Sequence, residues 1–307
     1  MSVLASVLKK ESIMHSYFRA IGFSKLRNKS EQNKLVTAAL NDATDKREIE
    51  VGSGTKLYQF NRTFGCGLGI SIIAELDESG TISVDHSFPY CTGTHTCTQP
   101  EIQIEPHSDK EAFSGISDDY ALGITLIYAL QNPIDYIRSN WLNDYYKIPK
   151  KVKFGALSID GRILYGVQLQ EMALPYEKQP ISNKERLNLI KKARNGDPEA
   201  IENLTLDEMD TYSLITKRIK QEDLYTVVET YFMPYGIDNE QYSIMGVIQK
   251  IEELTNEFSD ELVYNLTVVC NDLTLNVAIN SLDLEGEPKV GRRFKGIIWL
   301  QGQVDFM

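Results

Sequence analysis

Apolar and polar positions alternate most cleanly near the end of the chain. Leu262, Tyr264, Leu266, Val268 and Cys270 recur at every second residue, and Leu273, Leu275, Val277 and Ile279 do so after Asn271 and Asp272. Period two, broken by two turn-forming residues, predicts a pair of half-buried antiparallel strands. Ile244 to Leu254 before them and Phe294 to Val304 after them extend the pattern. Residues 237–307 are therefore expected to form a small β-barrel of the OB or SH3-like kind.

Residues 14–170 mix two periods. Tyr17 to Phe23 and Glu31 to Leu40 read as short helices, and Ile70, Ile72, Ala74 and Leu76 alternate as a strand. After the turn residues Glu78, Ser79 and Gly80, the positions Ile82, Val84, His86 and Phe88 share a face and complete a hairpin; Glu101 to Glu105 adds a further strand. Ser117, Asp118 and Asp119 read as the start of a helix whose apolar stripe is Leu122, Leu126, Ala129 and Leu130. Asn132 caps a second helix opened by Pro133. Asp160 and Gly161, between Phe154 to Ile159 and Arg162 to Val167, predict a two-residue hairpin turn. This order of elements implies an α+β domain with an antiparallel sheet and helices.

Residues 171–182 carry two prolines and no period, and read as a linker. Residues 183–236 read as a helical connector. In it Gly196 ends one helix, Asp197 and Pro198 begin the next, and Thr205 with Glu208 forms a capping box. Residues 1–13 stand before the pattern as an N-terminal extension.

Composition narrows the function classes. The 307 residues are 42% apolar and 24% charged, enough for a substantial core, with a net charge of −11. A strongly acidic chain is a poor general binder of phosphate backbones, so nucleic acid is an unlikely partner for the molecule as a whole. No secretory leader pattern and no run of 18 apolar residues occurs, which points to a cytoplasmic protein without a membrane span. Four scattered cysteines then read as reduced thiols.

Several long blocks carry a family likeness. VGRRFKGIIWLQG (Val290 to Gly302), ETYFMPYG (Glu229 to Gly236) and LTLDEMDTYS (Leu204 to Ser213) resemble a bacterial domain-of-unknown-function family of anaerobic Gram-positive bacteria. FPY (Phe88 to Tyr90), the stretch from His107 to Asn132, and MHSYFRAIGF from Met14 match it too, so the resemblance runs from about Met14 to the C-terminus. It implies a bacterial cytoplasmic protein and carries no chemistry.

Three groups of residues could carry function. Five of the eight cysteines and histidines fall between His86 and His107, and Cys91, His95, Cys97 and His107 would supply a Cys2His2 set for zinc. Their spacing lacks the close pairs of structural zinc sites, so a polar loop is the commoner reading and no cofactor is predicted. His86, beside Val84 and Phe88, reads as a hydrogen-bonded core histidine. FGCGLG (Phe64 to Gly69) leads into a strand rather than a helix, which argues against a dinucleotide loop. His107, Asp109, Glu111, Asp118 and Asp119 could bind a divalent ion or perform acid-base work, against the simpler reading of capping residues.

By strand parity Arg293, Lys295 and Trp299 share a face, with Arg292 adjacent, as on a single-stranded nucleic-acid platform. Ten acids against five basic residues from Tyr242 onward oppose that reading. The sequence thus favours a non-enzymatic module that binds a protein or small ligand. A metal-dependent or acid-base enzyme centred on His107 and the nearby acids, or weak single-stranded nucleic-acid binding by the barrel, are the alternatives. Oligomeric state is left open.

Overall fold

The alternating stretches become strands and sort into two sheets. The computed structural model describes residues 16–51, 55–76, 80, 82–107, 112–119, 122–142, 149–166, 183–205, 225, 228–236 and 240–306. The first sheet is an antiparallel meander of β1 (Asp45–Glu50), β2 (Lys56–Gly65), β3 (Leu68–Leu76) and β4 (Ile82–Cys91), each strand pairing with its neighbour in sequence. A 3-10 turn, Ser16–Ile21, and helix α1, Lys29–Asn41, bring Phe18, Ile21, Leu35 and Val36 to the core of this sheet. The helix begins where the Asn28 side chain accepts from Glu31 N at 3.0 Å and the Glu31 carboxylate reaches back to Arg27 N at 2.8 Å, a reciprocal cap.

The second sheet is larger and mixed. Its strands are β5 (Thr96–Thr98), β6 (Gln103–Pro106), β7 (Phe113–Asp119), β8 (Ile124–Leu130), β9 (Lys151–Leu164), β10 (Tyr231–Pro234), β11 (Gln241–Thr255), β12 (Leu262–Cys270), β13 (Leu273–Asn280), β14 (Leu284–Glu285) and β15 (Arg293–Asp305). Helix α2 (Pro133–Leu142) follows β8, and α3 (Asn183–Arg194) follows β9. Within the sheet, β11 pairs with β12, β12 with β13, β13 with β9, β9 with β15, and β15 with β11 again. The hydrogen bonding therefore returns on itself in a ring, with β13–β9 its one parallel join. Tyr242, Leu266, Val268, Leu275, Val277, Phe154, Phe294 and Ile298 belong to the core cluster of these strands. β9 lies before the predicted linker, yet it is hydrogen-bonded between two strands of the segment 237–307. The two segments share one sheet.

Three expectations are corrected. The helix expected from Ser117 to Asn132 is the hairpin β7–β8. Leu126 and Leu130, four apart, suit either period, but Leu126, Tyr128 and Leu130 are the buried positions and β-branched Ile124, Thr125 and Ile127 lie between and before them. Asp119 accepts from Leu122 N at 3.0 Å, and Gly123 takes a φ of +69°, so these polar residues close a turn rather than open a helix.

Asp160 and Gly161 do not turn the chain either, because β9 runs through them as one strand. Glycine is needed there for close approach: a side chain at 161 would come within 2.6 Å of Ile279 and of the Phe294 ring. The connector, finally, ends in strand, with Tyr231 and Phe232 paired to β11. Within it the Gly196 cap is present at φ +83°, but Thr205 lies inside the following helix, its hydroxyl donating to Ile201 O at 2.7 Å. Glu208, the linker 171–182 and the extension 1–13 lie outside the described residues.

Part of the ring's outer face is covered by the first sheet. Leu157, Val263, Ala278 and Trp299 join the first sheet's core cluster, while the polar positions meet backbone. Gln301 Oε1 accepts from Cys91 N at 3.0 Å and its Nε2 donates to Pro89 O at 2.8 Å. Gln131 Nε2 donates to Cys91 O at 2.7 Å, Asn276 Oδ1 accepts from Thr94 N at 2.8 Å, and Asn265 Nδ2 donates to Cys66 O at 2.7 Å. Buried amides thus tie the segment from Pro89 to Thr94 across the ring, each one satisfied as burial requires. Among the described residues no helix is long and apolar enough to cross a membrane.

Candidate functional site

Three distant segments bring a serine, a histidine and a glutamate together. β7 positions Ser114, the residue after β6 is His107, and the residue before β11 is Glu240. Ser114 Oγ donates to Glu240 Oε1 at 2.6 Å and lies 2.7 Å from His107 Nε2, whose own distance to Glu240 Oε1 is 3.7 Å. A hydroxyl has one proton. With that proton on the carboxylate side, His107 Nε2 carries its own and donates to Ser114 Oγ. Glu240 is held from behind: Trp299 Nε1 donates to its Oε2 at 2.8 Å, and its carbonyl accepts from Leu300 N at 2.9 Å. The His107 side chain is 49% exposed and that of Glu240 18%, so an open imidazole caps a largely screened carboxylate.

The order of contacts differs from a catalytic relay, in which the acid orients the histidine and the histidine takes the serine proton. Here the acid meets the serine. The sequence singled out His107 but missed Ser114 and Glu240. Ser114 lies between the strand expected at Glu101 to Glu105 and the helix expected from Ser117, in no assigned element, and no local pattern signals a partner 126 residues away.

The other expected acids lie elsewhere. Asp118 is exposed and accepts from Thr125 Oγ1 at 2.7 Å, and Asp119 accepts from Gln99 Nε2 at 3.1 Å, both serving the β7–β8 hairpin and its surroundings. Asp109 and Glu111 lie outside the described residues.

The four candidate zinc ligands are not brought together. Cys91 is fully buried, its Sγ toward Asn265 and Asn276, and desolvation pushes its thiol up to about 12. Cys97 points its Sγ at Thr274 O, 3.8 Å away, and desolvation raises it to about 11. His95 is exposed, and His107 belongs to the serine cluster. Zinc binds thiolate, which these environments disfavour. Among the described residues no group of three or more His, Cys, Asp or Glu could hold a metal ion.

His86 is the buried, hydrogen-bonded histidine expected. The register of β3 and β4 shifts beside it, and its Nδ1 lies 2.9 Å from Asp85 Oδ2 while its ring stacks on Phe88. FGCGLG forms the β2–β3 turn, with Gly65, Cys66 and Gly67 all at positive φ.

Parity along β15 holds, but exposure does not follow from it. Phe294, Ile298 and Leu300 face the ring interior, and Arg293 and Trp299 face outward as expected, yet both are buried. Trp299 lies under the first sheet, stacked on Tyr17 at 5.5 Å between centroids. Arg293 donates to the carbonyls of Tyr165 at 2.9 Å, Tyr225 at 2.7 Å and Val228 at 2.8 Å, and burial lowers its pKa. Alternation distinguishes two faces of a strand; it does not say which face meets water once a second layer is present. Arg292 and Lys295 remain at the surface, the first 5.1 Å from the Tyr165 ring centroid and the second 4.4 Å from that of Tyr225.

One family model matches the chain over residues 18–302; its description is "Domain of unknown function, E. rectale Gene description (DUF3881)". No curated protein and no solved structure matches.

Proposed function

This chain belongs to the DUF3881 family of unknown function, and we propose that it is a non-enzymatic binding module with a small-ligand site at His107, Ser114 and Glu240. The observation that carries this reading is the position of Ser114 Oγ, 2.6 Å from a screened carboxylate and 2.7 Å from a half-open imidazole. A ligand hydroxyl can take the serine's place, donating to Glu240 and accepting from His107, while an ammonium or amide N–H can donate to Glu240 alone. Such exchange of one hydrogen bond for another suits a ligand site supported by fixed elements. Thermal unfolding measured against a panel of small polyols, amines and amides tests it. The expected result is a concentration-dependent rise in Tm for one class, lost in Glu240→Gln. No rise with any class removes the reading.

The scaffold supports the same view. Four antiparallel joins and one parallel join give the ring the pairing order of an OB-type barrel in which β9 is counted as the last strand although it comes first in sequence. The outer face of β12 and β13, the kind of face OB barrels offer to polymers, carries Asn265 and Asn276 bonded to the chain's own backbone. Ligands are then left to other surfaces. Four free cysteines support a cytoplasmic setting, and we propose no resident cofactor.

A second reading is acid-base chemistry at the same cluster, favoured by the short Ser114–Glu240 contact. In it Glu240 is the base for Ser114. A serine-directed fluorophosphonate distinguishes the two. Labelling of Ser114 supports chemistry, and an unlabelled Ser114 excludes it.

A further inference from the structure

A cation-aromatic edge forms where β9 ends and β15 begins, apart from the serine cluster. Tyr165 is 79% exposed, an unusual position for so large an aromatic, and the Arg292 guanidinium lies over its ring. Tyr225 is exposed too, with Lys295 Nζ over its ring and donating to its hydroxyl. Between them Arg293, only 4% exposed, donates to the carbonyls of both tyrosines and of Val228. Burying a guanidinium is costly, and here it is used to fix the backbone under two surface rings.

Among the described residues, basic side chains outnumber acidic ones around this edge. Arg162, Lys289, Arg292, Arg293 and Lys295 gather near Glu229, Glu285 and Glu287. Arg162 pairs with Glu285 and Lys289 with Glu287. Arg292 instead donates to the Glu287 carbonyl at 2.8 Å, and Lys295 to a phenol. The two outer cations are thus turned toward aromatic faces.

We infer that this edge binds single-stranded nucleic acid, a base stacking on Tyr165 and phosphates meeting Arg292 and Lys295. Flat rings beside cations provide sequence-tolerant stacking together with backbone neutralisation. The expectation drawn from net charge applies to the whole surface, whereas an encounter at one edge depends on local field. Trp299, the aromatic that parity selected, has no part in it.

Fluorescence anisotropy of a labelled oligo(dT) with the full chain at low salt tests the inference. Binding is expected to weaken with salt at a slope of about −1.4 in log K against log salt, for about two phosphates contacted. Tyr165→Ala should weaken it at least about fivefold, the low end for a base-aromatic stack. Arg292→Ala should weaken it and flatten the slope by about 0.7. Lys46→Ala, which removes a cation placed over Tyr58 in the first sheet, should leave it unchanged. Absence of binding at low salt overturns the inference. So does binding indifferent to Tyr165→Ala and Arg292→Ala, or equal competition by polyglutamate, which would mark a general anion surface.

Discussion

In the first sheet every strand pairs with its neighbour in sequence, whereas the ring takes one of its five strands, β9, from before α3 and β10. The meander can form from local hairpins. The ring cannot close until β9 is delivered between β13 and β15, and non-local pairing of this kind carries the larger loop-closure cost. The lesson lies in how the two parts depend on each other. The first sheet covers part of the ring's outer face, and the ring's amides satisfy the backbone of the first sheet's last strand.

The position most sensitive to substitution lies where the two parts cross. A Cβ at Gly155 in β9 would sit 1.6 Å from Cys91 O of β4, backbone against backbone. Gly155→Ala should therefore cost more than about 4 kcal/mol, the range of severe single substitutions, with folded yield and Tm as the measures. Phe294→Ala, within the ring's apolar interior, should cost about 3–4 kcal/mol in chemical denaturation. Gln301→Leu keeps most of the volume but strands Cys91 N and Pro89 O. It should cost about 1–3 kcal/mol, smaller than the interior loss yet well above a surface change. A cost near zero would mean that the amide ties do not hold the two parts together.

The smallest effect concerns the thiols. Burial raises Cys91 to about 12 and Cys97 to about 11, from an ordinary value of 9.0. In the folded protein both groups favour the neutral form. Their contribution to stability is complete below the unfolded value and declines as pH rises through 9 toward 11 and 12, so Tm should fall across that range. Alkylation at neutral pH should modify Cys66, in the half-buried β2–β3 turn, ahead of the more desolvated Cys97, with Cys91 and Cys270 last. Mass spectrometry of a time course reads the order.

Local features were legible in the sequence. The Asn271–Asp272 hairpin forms as its alternation requires, with Asn271 at φ +51°, and α2 begins at Pro133 behind Asn132. What was not legible depends on distance along the chain. β9 is paired on both edges and buried on both faces only from Phe154 to Ser158, and its Asp160-Gly161 step resembled a turn although glycine serves there to admit Phe294. Ser117 and the residues after it satisfied a helix start and a strand alternation alike, and only pairing with β6 and β8 decides between them.

The site follows the same rule. His107 was visible because histidine is scarce, but Ser114 and Glu240 become partners only when β6, β7 and β11 are in place. Arg293 and Trp299 were assigned to the right face of β15, and the layer that buries them comes from residues distant in sequence.

The dependence of the ring on β9 is tested most directly by producing residues 237–307 alone and recording a two-dimensional proton-nitrogen NMR spectrum. The account predicts the narrow dispersion of an unfolded chain, because β13 and β15 lack the strand that joins them, with dispersion appearing when a peptide of residues 151–164 is added. A well-dispersed spectrum from the fragment by itself would contradict it.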